Sequence, residues 1–326
     1  MNSALKNRLF YRFHHLRDNF YMLVFLLASI MVFAVFAPEA LSPGVLNSMA
    51  FQLPELGLLT LAMLIPVLSG GLNLAITYTA NICALVAAAL ITTLFAQWGI
   101  GGSLLACLIA VACGALIGAL IGTMIAWVEA HPILVTLGAM ILLRGIGEWV
   151  MRGGDISGMP PLFASIGHGS WLGLPIPLWI FAAAVLLWFY LMHYTRLGFA
   201  VYMVGSNSKA AEYSGIPVKR VLIWIYMLSG AMAALAGLMM LARFNSVRMG
   251  HGESYLLITM LACFLSGANP FGGFGKVFPL VIALAALQLI ASGLNIIGAN
   301  QHLVTAIWGI FLITVMVIRG MAGRRH

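Results

Sequence analysis

The side chains able to do chemistry are few, and they do not assemble into a catalytic set. The segment GGFGKV (272–277) ends in Gly275-Lys276, like the close of a phosphate-binding loop. That loop needs a glycine five residues before its second glycine and a Ser or Thr after the lysine, where this chain has Pro270 and Val277. Both the turn and the magnesium hydroxyl are missing, so the chain does not hydrolyse ATP. Arg144 and Glu148 stand four residues apart, one helical turn, and read as an intramembrane ion pair whose charges neutralise each other. Glu55 follows Pro54 near the outer end of an apolar segment, within reach of the interface; His131 and His251 are isolated. Cys83, Cys107, Cys113 and Cys263 all lie in apolar segments without metal-ligand spacing and read as small hydrophobes, so no disulfide, metal or redox role is assigned. Paired acids, a metal-binding helix and a nucleophile beside a base are all lacking. This is not an enzyme, and it needs no cofactor.

The apolar segments instead hold neutral hydroxyls and amides: Thr60, Ser69, Asn73, Thr77, Thr79, Asn81, Gln288, Ser292 and Asn295. Each alone is accounted for by interhelical hydrogen bonding, worth roughly 0.6 kcal/mol. Ser69, Asn73 and Thr77 recur every four residues beside the Gly70-Gly71 pair. With Asn81, Gln288 and Asn295 they are the candidates for a solute pathway. Neutral groups suit a polyol or sugar, which asks for hydrogen bonds and not countercharges. Ion-coupled carriers normally bury carboxylates near the midplane, which argues against that class.

The elements that must position these groups are membrane helices. Hydrophobic residues make up 63% of 326 and charged residues 7%, with mean hydropathy +1.06, against roughly 25% charged in soluble domains. Ten stretches are apolar enough to cross a hydrocarbon core of about 30 Å: 20–37, 49–69, 72–95, 102–127, 131–150, 176–193, 218–242, 253–268, 276–293 and 302–319. The first is too long for a signal-peptide core and reads as a retained helix. The expected fold is an all-α membrane protein of about ten transmembrane helices. It divides into an N-terminal segment 1–19, a membrane domain 20–319 and a tail 320–326.

With an even number of spans the two termini share a side. That side carries twelve Lys and Arg, among them Lys6, Arg8, Arg196, Lys209, Lys219 and Arg325, against Arg152, Arg243 and Arg248 opposite. The excess places both termini and the loop 194–218 in the cytoplasm. The net charge of +8 is therefore topological, and nucleic acid is not a partner. Gly114, Gly118 and Gly122 form a small-residue face for close helix packing. Pro54, Pro66 and Gly70-Gly71 are expected to interrupt the second span and its exit, and such breaks survive only inside protein or beside a wet cavity. MLIPVLSGG (63–71) and MLACFLSGA (260–268) echo each other weakly.

The loop TRLGFAVYMVGSNSKAAEYSGIPV (195–218) is basic, rich in small residues and able to form one short helix. Ser206 or Asn207 is placed to cap it, Ala210 and Ala211 would present a small face to a groove, and Gly215 with Pro217 would end it. It reads as a docking segment.

Four stretches carry a family resemblance: LSGGLNLAI (68–76), TLGAMILLRG (136–145), the loop 195–218 and LSGANPFGGFGKV (265–277). From about residue 50 to 320 the chain resembles the permeases of ribose-type monosaccharide ABC importers, which are related to branched-chain amino-acid permeases. The resemblance implies a ten-helix ABC permease fold that dimerises with a like or unlike permease subunit. It also implies two cytoplasmic ABC ATPase subunits and a periplasmic or lipid-anchored solute-binding protein. The implied ATPase-coupling residues are Gly205, Asn207, Ala210, Ala211, Ser214 and Gly215. Alternative cargoes are branched-chain amino acids or nucleosides. Two departures remove negative charge: Asn73 stands where the family's glycine-pair motif has Asp, and no acid follows Tyr255.

Overall fold

The computed structural model describes residues 3–95 and 97–323. Arg324 and Arg325 lie outside the described residues, as do the side chains of residues 3–19 and 318–323, so the predicted terminal segments 1–19 and 320–326 are covered only in part. The helices in chain order are α1 (Ser3–Phe36), α2 (Pro43–Leu68), α3 (Ile76–Thr92), α4 (Gly99–Val128), α5 (Pro132–Met151), α6 (Pro161–His168) and α7 (Ile176–Tyr194). They continue with α8 (Arg196–Ser206), α9 (Ser208–Tyr213), α10 (Val218–Phe244), α11 (Tyr255–Leu265), α12 (Val277–Ile296) and α13 (Gln301–Gly323).

Each apolar segment read from the sequence holds one apolar helix. Among the residues whose side chains are described, six of these (α2, α4, α5, α7, α10 and α12) are long and apolar enough to cross a membrane, while Ile76–Thr92 and Tyr255–Leu265 are shorter; for α1 and α13 this covers only Phe20–Phe36 and His302–Val317. The two-residue strands Ile156–Ser157 and Ser246–Val247 pair antiparallel and tie the α5–α6 connection to the end of α10.

The core is organised around α2, whose apolar stretch is 83% buried. A helix hydrophobic all round and covered on every side must have its backbone satisfied by protein alone. Pro54 and Pro66 do not interrupt it, contrary to the expectation from sequence; α2 runs unbroken from Pro43 to Leu68. Pro66 lacks the N–H that would bond the Ala62 carbonyl. The Ser229 hydroxyl of α10 donates to that carbonyl instead, at 2.7 Å. Trp188 of α7 donates to the neighbouring Leu61 carbonyl at 3.1 Å. A neighbouring helix thus supplies the donor that Pro66 removes.

The break falls after α2. Residues 69–75 are not helical, and they climb from the end carrying α8 and α9 to the level of Ser229. At 1.5 Å per residue, Ser229 stands about 17 Å along α10 from Val218. Helix α3 therefore starts at depth within the bundle. The four-residue spacing of Ser69, Asn73 and Thr77 consequently does not lie on one helical face, because only Thr77 is helical.

Helices α4 and α10 pack backbone on backbone. A β-carbon on Gly118 would collide with the Tyr226 carbonyl, and one on Gly122 would lie 2.9 Å from the Ile223 Cα. Gly230 answers from α10, directly over the Gly114 carbonyl. We expect Gly118→Leu to destabilise the protein by at least about 1–3 kcal/mol through overpacking. Thermal unfolding in detergent reads this, with Leu116→Ala on the exposed side of α4 leaving the midpoint unchanged.

Candidate functional site

The docking segment contains two helices where one was expected. Thr195 caps α8, accepting a hydrogen bond from the Gly198 amide at 3.2 Å. Asn207 breaks the path in extended conformation and caps α9, accepting from the Ala210 amide at 3.0 Å. At the far end Gly215 has φ +82°, a left-handed conformation costly for any residue with a β-carbon. Its amide donates to Glu212 O (2.9 Å) and the Ile216 amide to Ala211 O (3.1 Å), closing the Schellman pattern.

Exposure divides the six coupling candidates. Asn207, Ala210, Ser214 and Gly215 are exposed, Gly205 is half-buried, and Ala211 is fully buried in the core. The expected small face made by Ala210 and Ala211 together is therefore reduced to Ala210, because Ala211 anchors α9 inward. Sequence reasoning missed two aromatics beside them: Tyr213 is 93% exposed and Phe271 83%. An isolated Tyr or Phe in a loop carries no periodic signal; only its nakedness in the fold marks it.

Gly205 sits at a three-way junction. A β-carbon there would run into the Leu68 carbonyl at the end of α2 and would lie 2.6 Å from the Gly273 amide. One on Gly272 would lie 2.6 Å from the Gly70 amide and 2.7 Å from the Gly205 carbonyl. The Gly273 amide donates to Leu68 O at 2.9 Å, and the Tyr202 hydroxyl donates to Gly275 O at 2.8 Å. Burial pushes the Tyr202 phenol up to about 12, so it remains a donor throughout the physiological pH range. The glycine-rich segment that resembled a phosphate loop is thus a backbone wedge locking α8 to α2.

Beside the junction opens a cavity of about 670 Å³, lined in part by Ser69, Gly70, Glu129, Asn207, Lys209 and Lys219. Lys219 lies 3.9 Å from Glu129 and 5.0 Å from the ring centre of Trp127.

The pathway candidates are scattered. Ser69 is half-buried on the cavity wall. Asn73 is buried and fully used: its amide donates to Ser229 Oγ at 2.9 Å, and its carbonyl accepts from the Ala75 amide at 3.1 Å. It holds the rising 69–75 segment in place. Thr77 and Asn81 are 1% exposed; the Thr77 hydroxyl and the Asn81 amide nitrogen find no hydrogen-bond partner among the described residues, nor does Thr79. Gln288 donates to Gln52 at 3.1 Å, bracing α12 against α2, and Asn295 is exposed at the end of α12.

At the opposite end, two ionic clusters flank the α10–α11 connection. Glu55 does not reach an interface; it is fully buried, 3.1 Å from Arg243, and accepts a hydrogen bond from Tyr255 at 2.8 Å. The α10 and α11 partners, far away in sequence, turn the residue inward. Arg144 donates to Glu148 at 2.8 Å and lies 3.6 Å from Glu253. Among the described residues no group of three or more His, Cys, Asp or Glu is arranged to hold a metal.

The apolar helices fit a multi-pass membrane protein, and similarity to known proteins makes it a permease of the ATP-binding-cassette importer class. The chain belongs to the family described as branched-chain amino acid transport system / permease component, whose pattern matches residues 45–318. It is 30% identical over 312 residues to the autoinducer 2 import system permease protein LsrD of Salmonella typhi, covering 92% of each chain. It is 32% identical to the LsrD of Yersinia enterocolitica, over 83% of this chain and 82% of the relative. To that of Photorhabdus temperata it is 30% identical, over 94% and 92%. No solved structure matches the chain. This is a transport family and not an enzyme family, and its members are multi-pass proteins of the inner membrane.

Breaking the buried ion pair has a readable cost. Arg243→Leu leaves the Glu55 carboxylate buried without its countercharge and is expected to destabilise by about 3–5 kcal/mol. The double substitution Glu55→Leu, Arg243→Leu should recover at least half of that, as measured by unfolding midpoints in detergent.

Proposed function

We propose that this subunit carries a monosaccharide or similar small polar solute into the cell, driven by two ABC ATPase subunits that grip α9 and its surroundings. The chain crosses the membrane ten times with both termini cytoplasmic, on the charge excess of twelve to three. In that orientation α8, α9, Phe271 and the 670 Å³ cavity face the cytoplasm, and the Glu55 and Arg144 clusters lie toward the outside. A second permease subunit, like or unlike, completes the conduit, and a periplasmic or lipid-anchored binding protein delivers the solute. The relatives named for autoinducer 2 import favour a small polar cargo.

One observation carries this reading: the docking segment is fixed to the end of the central helix through backbone contacts at Gly205. Force applied to α9 by a closing ATPase therefore reaches α2, and from it the 69–75 segment and α3, without passing through flexible side chains. Rigid-body rocking of that unit alternates access to the pathway. Helix α3 supplies Thr77 and Asn81 to the pathway, together with Ser69, while Asn73 holds the turn in place. Gln288 and Asn295 stand on α12, the first bracing it against α2 and the second at its outer end.

Two substitutions separate docking from conduction. Ala210→Arg puts a bulky charge on the exposed face of α9 and should reduce ATPase co-purification at least tenfold; unchanged recovery places the docking face elsewhere. Thr77→Val keeps the shape and deletes a hydroxyl that has no partner among the described residues. Stability should hold, while uptake by the assembled importer falls severalfold with ATP hydrolysis maintained. Uptake at the wild-type rate would remove Thr77 from the pathway.

A further inference from the structure

Helix α5 is the least covered of the six long apolar helices, with only 11% of its apolar stretch buried, yet it carries two charges. Arg144 stands about 18 Å and Glu148 about 24 Å along a helix of about 30 Å, so both lie in its outer half and short of its end. The pair is half-exposed, at 51% and 53%, and Glu253 beside it is 58% exposed. Charged side chains at such depth do not face lipid; they face protein or a water-filled cavity. Tyr78 of α3 adds a second, separate observation. The residue is 2% exposed, and its ring lies 5.8 Å beneath the Arg144 guanidinium. Its hydroxyl is on the Glu253 side and forms no hydrogen bond of acceptable geometry among the described residues. A buried hydroxyl near Glu253, beside a half-exposed guanidinium and two carboxylates, gathers hydrogen-bond donors and acceptors in one place.

We propose that Arg144, Glu148, Glu253 and Tyr78 form a solute-contacting station in the outer half of the pathway, selective for neutral polyhydroxylated solutes over anionic ones. This rests on the transport reading above and adds residues to it. The guanidinium presents a planar fork of donors to adjacent hydroxyl oxygens, the carboxylates accept from hydroxyl hydrogens, and the phenol does either. One Arg against two Glu leaves the station with a charge of −1, which disfavours carboxylated or phosphorylated sugars.

The experiment has two arms, both on the full chain assembled with its ATPase, second permease subunit and binding protein. In the first, G145C is treated with a membrane-impermeant methanethiosulfonate from the outside. A β-carbon at Gly145 meets nothing within 4 Å, and the position lies between Arg144 and Glu148. Its modification should be at least tenfold faster than that of L116C, on the exposed side of α4. Equal rates mean that lipid or a subunit covers the face, and overturn the proposal. In the second arm, uptake of D-ribose and of autoinducer 2 is measured in proteoliposomes. R144Q should lower uptake of whichever is accumulated at least tenfold, while ATP hydrolysis stimulated by the binding protein stays within twofold. Uptake within twofold of wild type, or loss of uptake and stimulation together, overturns the station. If the wild-type assembly accumulates neither probe and hydrolyses no ATP, the transport reading itself falls. The cysteine rates then still decide whether the face is wet.

Discussion

Three stretches of backbone meet where no side chain fits. The end of α2, the end of α8 and the glycine-rich turn before α12 touch at Gly70, Gly205, Gly272 and Gly273, and one hydrogen bond, Gly273 to Leu68, closes the contact. Packed backbone is among the stiffest connections a protein can make, because it has no rotamers to absorb displacement. The docking helices, the central helix and the α11–α12 connection consequently move as one piece.

Around this piece the fold handles a recurring difficulty: polar backbone inside a medium without water. Pro66 frees a carbonyl and Ser229 fills it; the same Ser229 accepts from Asn73, which in turn holds the non-helical rise to α3. One hydroxyl thereby ties α2, α10 and the 69–75 segment together. The arrangement asks for an amide at Asn73, which donates to Ser229 and accepts from the Ala75 amide. Here the position serves as a hydrogen-bonded strut, and a charge would have no partner in the cluster described. At the opposite end, Glu55 is buried against Arg243 and Tyr255, while the Arg144–Glu148 pair stays half-exposed.

Burial also separates side chains that sequence spacing treats alike. Ala210 and Ala211 are neighbours of the same type, yet one is exposed and the other is core. Asn73 and Asn81 are both buried amides, but only the first has its groups occupied. In a helical membrane bundle such distinctions separate a strut from a buried polar group whose amide nitrogen finds no partner among the described residues.

The sequence by itself determined the class. Low charge, ten apolar stretches and the lopsided distribution of Lys and Arg dictate a multi-pass helical protein, because bilayer thickness and desolvation act on composition directly. It also narrowed the start of α9 to a cap by Ser206 or Asn207 and placed its end at Gly215, since such caps act through bonds to residues three to five positions away. It predicted the close-packing face of α4 as well, though not its α10 partner, because glycines at four-residue spacing line one side of a helix. Only the tertiary structure decided that Pro54 and Pro66 leave α2 intact, that Glu55 is buried and that Gly205 meets Leu68 and Gly273. Each of those outcomes depends on partners far away in sequence, or on neighbouring helices covering a face. Local spacing cannot encode either one.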